Sequence, residues 1–148
     1  MSTKIHLYFK KYVLPSYEDL GIFAIRLLCD VTFKASELGY TEIYPAVVDT
    51  GAPISLIPMR IWQQCEAKRI RDSVIRGVVP HEECSLPVTL AEVTCRLLDQ
   101  ESQTGDLVIK AHLAPTDAVP LIIGFRDLLE YMKLYADCRQ GAAYLQCG

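Results

Sequence analysis

Residues 44–58 read YPAVVDTGAPISLIP, and this stretch holds the most informative pattern in the chain. An apolar run leads directly into an acid, a hydroxyl residue and a glycine, after which the chain becomes apolar again. The pattern predicts two buried strands joined by a tight loop, with Asp49 projecting at its tip. Gly51 permits a sharp turn and close backbone approach, and Thr50 can brace the loop by bonding to the backbone. An unpaired acid in so apolar a setting costs free energy, which suggests that Asp49 is retained for a function.

The rest of the hydrophobic pattern is mostly of the strand type. Short segments rich in β-branched and aromatic residues, separated by Pro, Asp, Gly and Ser clusters, occupy residues 21–29, 43–48, 74–79, 88–98 and 107–113. Two stretches predict helices: residues 59–67, which follow a proline, and residues 125–132, whose apolar side chains share one stripe. We therefore expect a mainly β fold, closed in the manner of a barrel, with two short helices.

Composition limits the classes of function. The chain has 148 residues, a net charge of −3 and a pI near 5.6, which fit one acidic domain and argue against nucleic-acid binding. It begins without a signal-peptide pattern and contains no membrane-spanning run, so we expect a cytoplasmic protein without a membrane partner. The six cysteines and three histidines are dispersed, so we expect core thiols, no metal site and no cofactor.

Two motifs resemble those of a known family. Residues 47–52, VVDTGA, resemble the active-site loop of retropepsin-like aspartic proteases, the retroviral type and its cellular relatives. Further along, residues 119–124 resemble the apolar-apolar-Gly element that crosses behind that loop, and its key residues here are Ile122, Ile123 and Gly124. The resemblance implies a retropepsin-like acid protease fold over residues 21–148, preceded by an extension of unclear role, residues 1–20.

The resemblance also implies a reaction, the direct hydrolysis of a peptide bond. Two carboxylates share one proton and hold a water; one accepts a proton from it while the other donates to the carbonyl oxygen. Such a pair titrates as a unit, so activity should depend on pH in a bell-shaped manner. The chain has one Asp-Thr-Gly, so the expected enzyme is a homodimer with catalytic Asp49 from each copy meeting on a two-fold axis. Thr50, Gly51 and Ala52 would support the loop.

The substrate implied by the family is an extended peptide or protein segment, bound in a groove across the dimer and covered by a mobile hairpin, the flap. The flap candidates are Arg76, Gly77, Val78, Val79 and Pro80. By motif position, apolar walls for substrate side chains are expected from Ile54, Val79 and Ile122.

The chain departs from the viral pattern at two linked positions. Viral members often pair an acid, four positions after the catalytic aspartate, with an arginine directly after the later glycine. Pro53 and Phe125 stand at these positions here. Because both charges are absent together, we expect an apolar contact, with Arg126 close enough to meet an acid instead.

Two other functions stay open at this level. A catalytically silent module would keep the dimeric fold and the peptide groove but act only in binding or as a scaffold. A Cys/His hydrolase has thiols available, although no nucleophile motif is recognisable.

Overall fold

The structure, a computed structural model, describes residues 2–36, 39–76 and 85–148. Its strands are, in chain order, β1 (Thr3–Val13), β2 (Phe23–Phe33), β3 (Tyr44–Val48), β4 (Ser55–Ile57), β5 (Ala67–Arg76), β6 (Ser85–Leu98), β7 (Leu107–Leu113), β8 (Ile122–Ile123), β9 (Lys133–Asp137) and β10 (Ala142–Cys147). The helices are α1 (Met59–Trp62) and two 3₁₀ helices, Pro15–Leu20 and Leu129–Tyr131. None of the helices within the described residues is long and apolar enough to span a membrane.

The strands form one sheet that closes on itself. Its order is β5-β6-β7-β4-β8-β3-β2-β1-β10-β9, and β2 also pairs with β6. That additional pairing completes a ring, β2-β3-β8-β4-β7-β6, from which β5 extends on one side and β1, β10 and β9 on the other. The prediction of a mainly β, closed fold with short helices is confirmed.

The ring surrounds the main core. Alternate residues of β6 point inward, so Val93, Cys95 and Leu97 are almost fully buried. They pack with Ile57 of β4 and Ile109 of β7 in one apolar cluster. A smaller cluster on the opposite face of these strands contains Leu56, Val88 and Ala114, with partly buried neighbours Ile75, Leu86, Val119 and Ile122.

The first residues of the chain have a structural place. Strand β1 lies between β10 and β2, pairing antiparallel with both. Ile5 of β1 is opposite Leu145 of β10, and both side chains are fully buried. Residues 1–20 therefore contribute an internal strand that links the carboxyl-terminal hairpin to the ring.

The helix expected over residues 59–67 is shorter in the structure. Helix α1 ends at Trp62, and the chain then turns back to pair with the residues that directly follow β2. Cys65 forms a β-bridge with Ala35, and the Glu66 N–H donates to the carbonyl of Lys34 at 2.9 Å. These tertiary hydrogen bonds overrule the local helical pattern, and Ala67 already belongs to β5.

The helix expected over residues 125–132 is reduced to turns and a 3₁₀ segment, Leu129–Tyr131. Asp127 interrupts it with a φ of 64°, a left-handed conformation that an α-helix does not contain. Its carboxylate accepts the N–H of Lys110 on β7 at 2.9 Å, which accounts for the interruption. Of the predicted apolar stripe, Leu128 and Leu129 are buried, whereas Phe125 is 41% exposed.

Candidate active site

Asp49 lies directly after β3, in the loop that leads to β4. Strand β3 is held between β2 and β8, and its residues Val47 and Val48 pair in parallel with Ile122 and Ile123. The Asp49 N–H donates to the carbonyl of Ile123 at 3.0 Å, so the sheet register fixes the backbone of the acid. The residue is partly exposed while Val48 before it is buried. The carboxylate thus stands at the boundary between core and solvent.

Asp49 itself accepts the hydrogen bonds that close the loop. One Asp49 oxygen, Oδ1, accepts the N–H of Gly51 at 2.8 Å, and the Asp49 carbonyl accepts the N–H of Ala52 at 3.2 Å. These bonds form the tight turn that the sequence predicted at this position. Thr50 is exposed, and its hydroxyl makes no hydrogen bond to another described residue. Bracing of the loop by Thr50 stays a prediction.

The second motif lies directly behind the loop. Ile122 and Ile123 form β8, between β3 and β4, and Gly124 directly follows this strand. A Cβ atom at Gly124 would lie 2.6 Å from the Ala52 carbonyl oxygen and 2.9 Å from the Ile54 carbonyl carbon. Real side chains do not tolerate such contacts, so only glycine lets β8 cross here. The structure therefore brings the two sequence motifs into direct contact.

Ser55 joins the two motifs and was missed from the sequence. Its hydroxyl oxygen accepts the N–H of Gly124 at 2.9 Å, and the side chain is 3% exposed. Without it this buried N–H would lack a partner, at a substantial cost in stability. The available signal was a single hydroxyl residue inside the apolar run of residues 54–57.

The departure from the viral pattern is compensated by backbone contacts. The N–H of Phe125 donates to the Ala52 carbonyl at 2.9 Å, and the N–H of Arg126 donates to the Pro53 carbonyl at 2.9 Å. The two segments are therefore tied together without an ion pair between their side chains. The guanidinium of Arg126 instead lies 3.7 Å from the carboxylate of the neighbouring Asp127.

The flap assignment falls mainly on a part of the chain that is not described. Strands β5 and β6 pair antiparallel up to Arg76 opposite Ser85. Gly77, Val78, Val79 and Pro80 lie outside the described residues. Arg76 is exposed at the end of β5, and the flap stays a prediction.

Three of the five thiols that the structure describes are buried and unsuited to nucleophilic catalysis. Cys29, Cys65 and Cys95 are free and buried in the main core. Burial raises the pKa of each of these thiols, for Cys65 and Cys95 to about 12. Since the thiolate is the reactive form, these residues are inert core side chains.

A cavity of about 160 Å³ opens beside the loop. Its walls include the expected Ile54 and Ile122, and also His112 of β7, which the sequence analysis did not single out. The alternation of β7 residues was the signal, because it places His112 on the face opposite the main core. The described residues that line the cavity are Ala52, Pro53, Ile54, Leu56, Ile75, His112 and Ile122.

Comparison with known proteins gives structural similarities. A crystal structure described as a retropepsin-like aspartic protease from Rickettsia conorii is similar to this chain, with 13% sequence identity and a TM-score of 0.49. The match covers 99% of this chain and 94% of that chain. No protein-family model and no curated protein matches the sequence.

Proposed function

We propose that the chain is an aspartic endopeptidase that acts as a homodimer, with Asp49 of each copy forming a shared catalytic pair. The observation that carries the proposal is the placement of Asp49. It is a partly exposed acid at the tip of a loop fixed by β8, by Gly124 and by its own bond to Gly51. So much fixed backbone around one acid is what a positioned catalytic group requires.

The second carboxylate is proposed to come from another copy of the chain. The other aspartates that the structure describes in strands and loops each accept a hydrogen bond in a separate structural contact: Asp30, Asp72, Asp99, Asp106, Asp117, Asp127 and Asp137. A two-fold axis at the loop would supply an identical acid in an identical setting.

The proposed chemistry needs only this pair and a water. One carboxylate removes a proton from the water as it attacks the peptide carbonyl, and the other protonates the carbonyl oxygen. Two carboxylates at short range cannot both ionise freely, which is how such a pair retains the single proton that the reaction uses.

The proposed substrate is an extended peptide. The cavity beside Asp49 has mainly apolar walls and reaches Ile75 on β5, so a side chain of a peptide lying along the loop can enter it. In this proposal the stretch from Arg76 to Pro80 covers the peptide as a flap.

The test is Asp49→Asn with Asp19→Asn as its matched control. The amide can still accept the Gly51 N–H, so the fold should persist while peptide cleavage falls by roughly 10³-fold. Asp19→Asn removes the same charge from the exposed 3₁₀ helix Pro15–Leu20 and should cleave as wild type. Cleavage of peptide mixtures and mass in solution are measured for both.

A mixing experiment tests the shared site directly. When wild type and Asp49→Asn exchange subunits freely, activity should follow the square of the wild-type fraction, because both acids are needed. A linear dependence, or full activity in a strict monomer, contradicts the proposal. Peptide binding by a dimer without any turnover would favour the silent module.

A further inference from the structure

His112 is a largely buried residue whose ring bonds to no described part of the chain. It lies in the middle of the sheet, opposite Leu56 of β4 and Leu90 of β6, and is 9% exposed. Its ring makes no hydrogen bond or ion pair to any residue that the structure describes. No fully buried side-chain nitrogen or oxygen among the described residues lacks a partner, so the ring nitrogens of His112 reach solvent and can bond to a molecule that enters from outside.

The register of β7 determines where the ring points. Ile109, Ala111 and Leu113 face the main core, so Val108, Lys110 and His112 face the other side. On that side His112 adjoins the small cluster around Leu56. An imidazole on this side loses part of its hydration, which lowers its pKa, so an aliphatic residue would suit the cluster better.

The ring lines the cavity beside the Asp49 loop. The cavity volume, about 160 Å³, is several times the about 30 Å³ that one water occupies in the liquid. Its other walls are aliphatic or proline side chains and the loop residue Ala52. His112 is thus the one side chain among these lining residues that offers a hydrogen bond to an occupant.

We propose that this cavity is a specificity pocket that selects a short neutral polar side chain of the substrate, Asn or Thr, through a hydrogen bond to His112. The inference rests on the proposed peptidase function and adds the residue class that the enzyme prefers beside the cleaved bond.

The chemistry of the pocket distinguishes this class from the others. Burial lowers the pKa of His112, so the ring is neutral near pH 7 and offers one N–H donor and one nitrogen acceptor. An aliphatic occupant would leave both without a partner. A charged occupant would lose its hydration among apolar walls without gaining a counter-ion. Asn and Thr supply donor and acceptor groups with little bulk.

The experiment compares wild type with His112→Leu and His112→Gln. The substrates are peptide pairs that differ at one position, Asn against Leu and Thr against Val, near-equal in shape. Wild type should favour the polar member by about ten-fold or more in kcat/KM at one position near the cut. His112→Leu should abolish or reverse this preference and His112→Gln should retain it, while Asp19→Asn, which lies outside the pocket on the 3₁₀ helix Pro15–Leu20, leaves it unchanged.

Thermal unfolding separates this role from a structural one. If His112 serves the substrate, His112→Leu replaces a ring that bonds to no described residue with an aliphatic side chain, and the midpoint of unfolding should not fall. A structural histidine would give a lower midpoint and the same peptide preferences, and that result overturns the inference.

Binding keeps the two proposals distinguishable. Peptides with a reduced, uncleavable bond are added to wild type, and the ring nitrogen resonances of His112 are followed by NMR. A shift with the Asn peptide and none with the Leu peptide supports the pocket even where no peptide is cleaved, in which case the proposed function alone fails. Cleavage with equal preference for both members of each pair overturns the pocket alone, and the absence of any binding overturns both.

Discussion

The loop at Asp49 and the part of the sheet formed by β2, β1, β10 and β9, which we call the terminal sheet, are fixed in different ways. Around Asp49 the strands are short. The backbone is held by individual hydrogen bonds, which the side chains of Ser55 and Asp49 accept from backbone N–H groups, and by the close backbone approach at Gly124. In the terminal sheet, long ladders join β1 to β10 and β2. There, buried side chains such as Ile5 and Leu145 secure the register.

Because of this difference, we expect stability to depend mainly on the terminal sheet and activity mainly on the Asp49 loop. A ladder distributes its free energy over many residues, so a substitution costs what its side chain buries. The loop depends on a few contacts, so a small change there moves the acid. We therefore expect substitutions in the terminal sheet to cause the largest losses of stability. Substitutions in the loop should reduce activity more, relative to the stability that they cost.

The largest expected loss of stability is that of Leu145→Ala. The side chain is fully buried opposite Ile5, and its removal leaves a cavity, so the free energy of unfolding should fall by about 3–4 kcal/mol. Urea unfolding measures the change. Leu134→Ala, on the neighbouring β9 with its side chain 39% exposed, should cost well under half as much. Equal losses would show that the terminal sheet is not secured by burial.

The next effect is that of Gly124→Ala, with an expected loss of about 2–3 kcal/mol. The added methyl group meets backbone atoms of Ala52 and Ile54 that cannot rotate away. Because the contact displaces the Asp49 loop, peptide cleavage should be lost at temperatures where the variant is still folded. Gly105→Ala is the control, since nothing lies within 4 Å of its new methyl group. Full activity in folded Gly124→Ala would contradict the close approach.

A smaller effect is expected for Ser55→Ala, about 1–2 kcal/mol. The variant leaves the buried N–H of Gly124 without its acceptor. Ser73→Ala, on β5, removes a hydroxyl with no hydrogen bond to another described residue and should change stability by less than about 0.5 kcal/mol. Calorimetry compares the unfolding midpoints of the two variants. Indistinguishable midpoints would show that the Ser55 hydroxyl does not stabilise the contact between the two motifs.

The strands and the loop could be predicted from the sequence because their signals are local. Residues 107–113 alternate and form β7 within those bounds. The change from apolar run to Asp-Thr-Gly and back gave the loop between β3 and β4. Strand β1 was also legible, since Ile5, Leu7 and Phe9 alternate with polar residues, although the sequence analysis left this segment open.

The remainder depended on contacts between distant segments. The second predicted helix is interrupted where the Asp127 carboxylate accepts a hydrogen bond from the Lys110 N–H, and no local sequence pattern indicates this contact. The role of Ser55 requires knowing that Gly124 lies beside it, 69 residues away. Likewise, His112 becomes a candidate only once the register with Leu56 places it beside the cavity.

The smallest expected effect concerns Asp99, which ties the terminal sheet to the turn after β6. Burial alone would raise the pKa of its carboxyl, but hydrogen bonds from the backbone N–H groups of His6, Glu101 and Ser102, and from the His6 ring, lower it to about 2. In an unfolded chain the pKa of an aspartate is about 3.9. The stabilisation is therefore present above about pH 4 and is lost as the pH falls through about 2.

Asp99→Asn should lower the free energy of unfolding at pH 7 by about 1 kcal/mol. The gap between wild type and variant should then narrow as the pH falls from about 4 towards about 2, because the wild-type carboxyl becomes protonated. Urea unfolding at several pH values measures this gap, with Asp19→Asn as a variant of equal charge. A gap that is constant with pH would mean that the charge of Asp99 does not hold β1 in place. The terminal sheet would then depend on its ladders and buried side chains alone, which is the sharper form of its contrast with the Asp49 loop.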